Sequence, residues 1–225
     1  MRGRVLAVQQ RTDAWQAARL GRLNSSHADR LLSKGRGKSE SDKTKRLRLE
    51  LVTERLTELP TQNSTVTAPM IRGIELESRA RVAFEAHSGS FVETVGYVQH
   101  EDPTVMAGAS PDGLILGDDC ETPVACLEIK CPTSVKHLEY LSGGAGVVHP
   151  GTSGTAPATY LPQLRHLAWI TGLPITFVSY DDRFRNINHH LYVATLSLNQ
   201  LALDEYNTLA RAFLDNVDTL YKSRR

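Results

Sequence analysis

Asp112, Glu128 and Lys130 are the residues of this 225-residue chain whose types and spacing most directly permit chemistry. Asp112 lies in Ser110-Pro111-Asp112-Gly113-Leu114, and the other two lie in Leu127-Glu128-Ile129-Lys130-Cys131-Pro132. The apolar run 124–131 reads as a strand. Alternation puts Glu128 and Lys130 on one face and turns Ile129 toward the core. A second apolar stretch, 114–116, follows Asp112, and the residues between the two runs are turn material. A hairpin therefore brings Asp112 beside Glu128. Two converging carboxylates suit a hard cation such as Mg²⁺, with Mn²⁺ as a substitute, and the backbone carbonyl of Ile129 offers a further oxygen. The nearby ammonium can orient or deprotonate a water, or stabilise charge developing on a phosphate. Metal-assisted phosphodiester cleavage, with two ions per site, is the chemistry these groups imply. Against it stands the ordinary Glu-x-Lys ion pair on a solvated strand face.

Helix and strand signals describe the scaffold that must hold these groups. Residues 11–20 read as a short helix capped by Thr12 or Asp13, and Ser25 or Ser26 can cap a second through Leu31 and Leu32. Gly35 to residue 38 reads as a loop. A helix is expected over 42–58, ended by Pro60, with Leu47, Leu49, Leu51, Val52 and Leu56 apolar. A polar loop at 61–67 leads to a longer helix over 69–87, with Ile74, Ala80, Val82, Ala83 and Phe84 apolar and Gly89 beyond its end. Strands follow at 91–99, at 105–107 with 113–116, and at 124–131. Ser134 can cap a helix to Leu141. The Gly-, Ser-, Thr- and Pro-rich stretch 143–158 reads as a mobile loop. A helix over 159–171, strands at 174–180 and 190–196, and a helix over 199–221 complete the chain. In the last, Leu201, Tyr206, Leu209, Phe213, Val217 and Leu220 occupy the apolar positions. The expectation is an α/β fold: a mixed sheet with helices on both faces, in one domain spanning 1–225.

Composition limits the partners. The chain is 40% apolar, enough for one good core, and has no apolar stretch near twenty residues and no charged-then-apolar leader. A soluble, intracellular protein is expected. Net charge is only +1, but residues 30–48 concentrate eight basic residues against Glu40 and Asp42. That block is either a solvated segment or a phosphate-contacting surface. The three cysteines, Cys120, Cys126 and Cys131, lack paired spacing, so neither a disulfide framework nor a zinc site is expected. The histidines show no metal-ligand spacing, and no Gly-x-x-x-x-Gly-Lys run offers a cradle for nucleotide phosphates.

Pro111-Asp112 with Glu128-x-Lys130 resembles the core of the PD-(D/E)xK nuclease superfamily. The strings at 110–114 and 127–132 are similar to those of phage recombination exonucleases, the lambda exonuclease or YqaJ group. Residues 11–21, 73–81 (Gly73 to Arg81) and 160–163 (Tyr160 to Gln163) resemble further blocks of that family, in the same order. The resemblance implies a restriction-endonuclease-like core and a 5′→3′ exonuclease that acts at double-stranded DNA ends and leaves 3′ overhangs. It also implies a ring-shaped homotrimer, a single-strand annealing protein as partner, and a phage or prophage origin, hence a bacterial cytoplasm.

By the same resemblance Glu77, four residues after Gly73, faces the metal site, with Glu75 as its competitor. Gln163 lies on a helix crossing the site, where it bonds the metal's water or caps part of the core. Arg19 and Ser26 match a pocket for the 5′-phosphate, and a guanidinium suits that role because it can make paired bonds to phosphate oxygens. Lys136 falls near a further basic position of the family. Met70 lies where the family places an apolar wedge at the DNA end, and is otherwise a helix-start core residue. Arg72 stands where the family has a tryptophan-like position. Two other readings remain: a site-specific endonuclease on the same core, and a DNA-binding subunit without activity. An iron–sulfur nuclease would require four cysteines.

Overall fold

The computed structural model describes residues 1–37, 39–61, 67–143 and 152–225, with backbone only at 152–154. Lys38, most of the expected polar loop at 61–67 and half of the expected loop at 143–158 lie outside the described residues. In chain order the elements are β1 (Arg4–Leu6), α1 (Asp13–Arg19), β2 (Leu23–Asn24), a 3₁₀ turn (Ser25–His27), α2 (Ala28–Leu31), α3 (Asp42–Thr57) and α4 (Ala68–Ser88). There follow β3 (Val92–Glu93), β4 (Tyr97–Gln99), β5 (Ala107–Ala109), β6 (Gly113–Leu116), β7 (Pro123–Lys130) and α5 (Ser134–Leu141). The chain closes with β8 (Thr152–Gly154), α6 (Leu161–Thr171), β9 (Ile175–Tyr180), a 3₁₀ turn (Ile187–His189), β10 (Leu191–Leu198) and α7 (Gln200–Lys222).

These strands form two mixed sheets rather than one. The larger has the order β3-β6-β7-β9-β10-β8, and the smaller β1-β4-β5-β2. In the larger, β6 and β7 pair antiparallel as the expected hairpin, and β7 pairs parallel with β9. The expected strand at 91–99 is divided between the sheets: β3 lies in one and β4 in the other. Gly96 sits at the break, where an added Cβ would lie 1.7 Å from the Val8 carbonyl oxygen. The expected pairing of 105–107 with 113–116 also divides, since β5 joins the smaller sheet.

Both faces of the larger sheet are covered, as its near-continuous apolar strands require. Leu127, Ile129, Val178 and Tyr180 pack against Leu76, Ala80 and Phe84 of α4. On the other side Cys126, Ile175 and Phe177 join Leu164, Leu167 and Ile170 of α6 and Tyr206, Phe213 and Val217 of α7. The helix stripes are narrower than the pattern suggested: Leu49, Leu56, Ile74, Val82, Leu201 and Leu209 are exposed. Helix starts follow side-chain capping. Thr12, Ser41 and Asn199 accept from backbone N–H groups three residues on. The caps of the second and fifth helical segments shift by one residue, to Asn24 and Thr133. Among the described residues no helix is long and apolar enough to cross a membrane.

The basic block becomes an ion-paired turn and helix. Arg30 and Arg46 hold Glu50, Arg48 holds Glu40, and Lys45 holds Asp42.

Candidate active site

The β6–β7 ladder brings Asp112 and Glu128 side by side. Gly113 is opposite Leu127, and the Asp112 N–H donates to the Leu127 carbonyl at 3.0 Å. The Ile129 N–H donates to Asp112 Oδ2 at 2.6 Å, so the carboxylate is anchored on the backbone of the neighbouring strand. Alternation along β7 sends Leu127 and Ile129 to the α4 side and Glu128 to the α6 side. Glu128 is only 1% exposed. A carboxylate there needs partners. Its Oε1 accepts from Lys130 Nζ, two residues on along the same face, and from Gln163 Nε2 at the start of α6. Pro162 lies in the first turn of that helix, which fixes where Gln163 enters the site.

Glu128 Oε2 is buried with no hydrogen-bond partner among the described residues. An orphaned, buried carboxylate oxygen is costly unless something positive meets it. Burial, and then the charge of Glu128, holds the Asp112 carboxyl well above the usual carboxylate range. Burial alone would lower the Lys130 ammonium, but Glu128 and Asp112 outweigh it and keep the amine protonated. The two acidic groups therefore repel each other, an effect that the Lys130 ammonium offsets only in part. These residues fit a divalent cation: two oxygen donors suffice for Mg²⁺, which keeps several waters and rarely uses a full protein cage. Among the described residues no group of three or more His, Cys, Asp or Glu is placed to hold a metal ion together.

Glu77 faces this site from α4, whereas Glu75 is exposed. Its two oxygens are taken by Arg11 and, at 3.1 Å, by Arg81. Arg81 also donates to the Asp112 carbonyl at 3.1 Å, tying α4 to the start of β6. Glu77, Arg11, Arg81 and Asp112 line one cleft of about 710 Å³. Gln10 reaches over it, donating to the carbonyls of Val95 and of Pro111, the residue before Asp112. Gln10 carried no signal in the sequence, and Arg11 entered it only as the first residue of the block 11–21. Arg81 stands four residues after Glu77, a spacing that marks a pair on one helix face.

Arg19 and Ser26 come together in a second cleft of about 500 Å³. Trp15 and Arg19, four apart on α1, stack with the guanidinium 4.4 Å from the ring centre. Arg19 donates to Ser110 Oγ at 3.1 Å and to Ser26 Oγ at 3.4 Å, and burial lowers its pKa from the ordinary arginine value. Two hydroxyls and a ring meet the cation directly, while Glu50 and Glu54 line the same cleft and the charge of Glu54 partly offsets the effect of burial on Arg19. Ser110 also accepts from Trp15 Nε1 at 2.8 Å. It stands two residues before Asp112, so one short segment joins the two clefts.

The remaining expected residues lie apart. Lys136 pairs with Glu139 at 2.6 Å and sits over the Tyr140 ring. Met70 is 49% exposed at the start of α4, beside exposed Ile71 and Ile74, so it is not a core residue. Arg72 donates to buried Asp181 at 3.0 Å, which Arg183 also grips with two bonds. The three cysteines are free thiols, with Cys126 buried in the core.

Comparison with known proteins identifies the family and the fold. The family model for the YqaJ-like viral recombinase domain matches residues 14–174. The chain is similar to the alkaline exonuclease LHK-Exo from Laribacter hongkongensis at 30% identity and TM-score 0.75, covering 94% of this chain and 95% of that one. The crystal structure of LHK-Exo in complex with dAMP matches equally well. A phage-related exonuclease from Haemophilus somnus 129PT shares the fold at 12% identity and TM-score 0.62, covering 91% of this chain and 96% of that one. No curated protein matches.

Proposed function

Because the chain belongs to the YqaJ-like viral recombinase domain family and is a phage-type exonuclease, we propose that it degrades the 5′ strand of duplex DNA ends in a Mg²⁺-dependent reaction. The products are nucleotides and a 3′ single-stranded overhang for recombination. The observation that carries this reading is the pair Asp112 and Glu128, locked across one ladder with a buried oxygen left unpartnered.

Asp112 and Glu128, with the Ile129 carbonyl, would hold the ion, and Glu77 completes a second position. A divalent cation at such a pair supplies positive charge for the phosphate and acidity for a water. Gln163 keeps the Glu128 carboxylate from rotating. Lys130, protonated and tied to Glu128, orients the attacking water and offsets charge developing on the phosphate. Arg19, Ser26 and Ser110 grip the terminal 5′-phosphate, with Arg19 forming paired bonds to its oxygens. Lys136 and Met70 belong to the DNA path outside this centre: a phosphate contact and an apolar wedge at the duplex end. We place the working enzyme as a homotrimeric ring in the cytoplasm of a bacterial host, beside a single-strand annealing protein.

One gel tests the reading. End-labelled linear duplex carrying 5′-phosphate or 5′-hydroxyl is incubated with and without Mg²⁺, beside closed circular DNA. Linear 5′-phosphorylated DNA should be consumed only with the metal, and circles should survive. Arg19→Ala should erase the preference for 5′-phosphate, a preference of about tenfold or more for a bidentate charged contact. Cleavage of circles, or degradation in EDTA, would refute it.

A further inference from the structure

Arg11 is the residue of the metal cleft that the proposed chemistry leaves unused, and its backbone is the unusual one. It adopts φ +68°, in the left-handed region that glycine occupies freely and a side chain does not. The strain persists in a turn between Gln9 and Thr12 that is pinned from both sides. Gln10 donates to Val95 and Pro111, and Thr12 caps α1. The turn delivers the Arg11 guanidinium onto Glu77 Oε2, while Arg81 takes the other oxygen.

The two arginines differ. The Arg81 side chain is 18% exposed and bonds the Asp112 backbone as well, so it is built into the frame. The Arg11 side chain is 45% exposed, and its bond to Glu77 is the one that positions it. A cation approaching Glu77 must share that carboxylate with Arg11 or displace it. Resting on the metal reading above, we infer that Arg11 is a positioning residue that competes with a divalent cation for Glu77 and thereby weakens the outer of two cation positions. Its place in the cleft beside Asp112 puts the competition next to the substrate phosphate, where an anion can draw the guanidinium away. The outer position then binds its cation more tightly when substrate is present.

The test reads metal binding directly, by Mn²⁺ titration followed by electron paramagnetic resonance, on the full chain without DNA. Wild type should bind one Mn²⁺ tightly and a second weakly. Arg11→Gly, which suits the backbone and so retains the fold, should tighten the second by about fivefold, the size of one partly exposed ion pair. Glu77→Gln in the Arg11→Gly background should abolish that gain, and Arg11→Lys should restore most of the weakness. An unchanged second constant in Arg11→Gly would overturn the competition while leaving the metal reading intact. No Mn²⁺ bound by wild type would overturn both.

Discussion

At the scale of single residues, the trio Asp112, Glu128 and Lys130 was legible because strand alternation and hairpin spacing dictate geometry at short range. The ladder delivers that geometry: Asp112 stands against the backbone of Ile129. Arg11 fell within the expected helix 11–20, and its left-handed backbone was not legible because an arginine carries none of the Gly, Asn or Asp signals of such a turn. Ser110 and Trp15 lay within the family-like blocks, yet their hydrogen bonds around Arg19 depend on packing between α1 and the loop before β6. Asp112→Asn, Glu128→Gln and Lys130→Ala should each lower kcat by about 10²- to 10³-fold, the scale of losing one preorganised charge at a transition state. Single-turnover cleavage measures chemistry, and filter binding on the same variants should show DNA retained. Glu128→Gln should also free Lys130 from a charged partner while keeping its bond to the amide oxygen, so its melting temperature should change little.

At the scale of elements, long helices and the β6–β7 hairpin emerged from periodicity, whereas the partition of strands into two sheets did not. Period-two patterning reports that 91–99 is extended but not which neighbours its two halves choose. Gly96 decides it, because only a residue without a side chain lets the chain turn against the Val8 carbonyl. That contact also seats the segment bearing Gln10 and Arg11, and the Gly96 carbonyl accepts from Trp15 Nε1. Gly96→Ala should therefore cost about 1–3 kcal/mol of stability, the range for forcing a methyl into a filled space. Urea denaturation gives the shift in midpoint. Activity should fall beyond what the lost folded fraction explains, since Gln10 would leave the Pro111 carbonyl.

At the scale of the whole molecule, the buried neutral His166 joins β5 of the smaller sheet to α6 and α7. His166 donates to the Gly108 carbonyl and accepts from the Tyr206 hydroxyl, satisfied at both nitrogens only when neutral. Burial pushes its pKa down to about 3, and that of His27 also to about 3, with neighbouring arginines adding to the effect. The unfolded chain takes up these protons near pH 6.5 and the folded chain does not. Stability is thus complete above pH 6.5 and is lost as pH falls toward 3, at about 1.4 kcal/mol per pH unit for His166 alone. Melting temperatures measured from pH 8 to 4 should decline from about pH 6.5 downward. A flat profile to pH 5 would contradict the burial of a neutral ring.

Ser110 and Asp112 are separated by a single proline. If Arg19 grips the terminal phosphate and Asp112 serves the cutting centre, as proposed above, the two groups are spaced by rigid covalent bonds, not by a hinge or a second subunit. Such a device works as a caliper. Its jaws cannot open to span two nucleotides on one turn and one on the next, so the fragments released should be of uniform length whatever bases they carry.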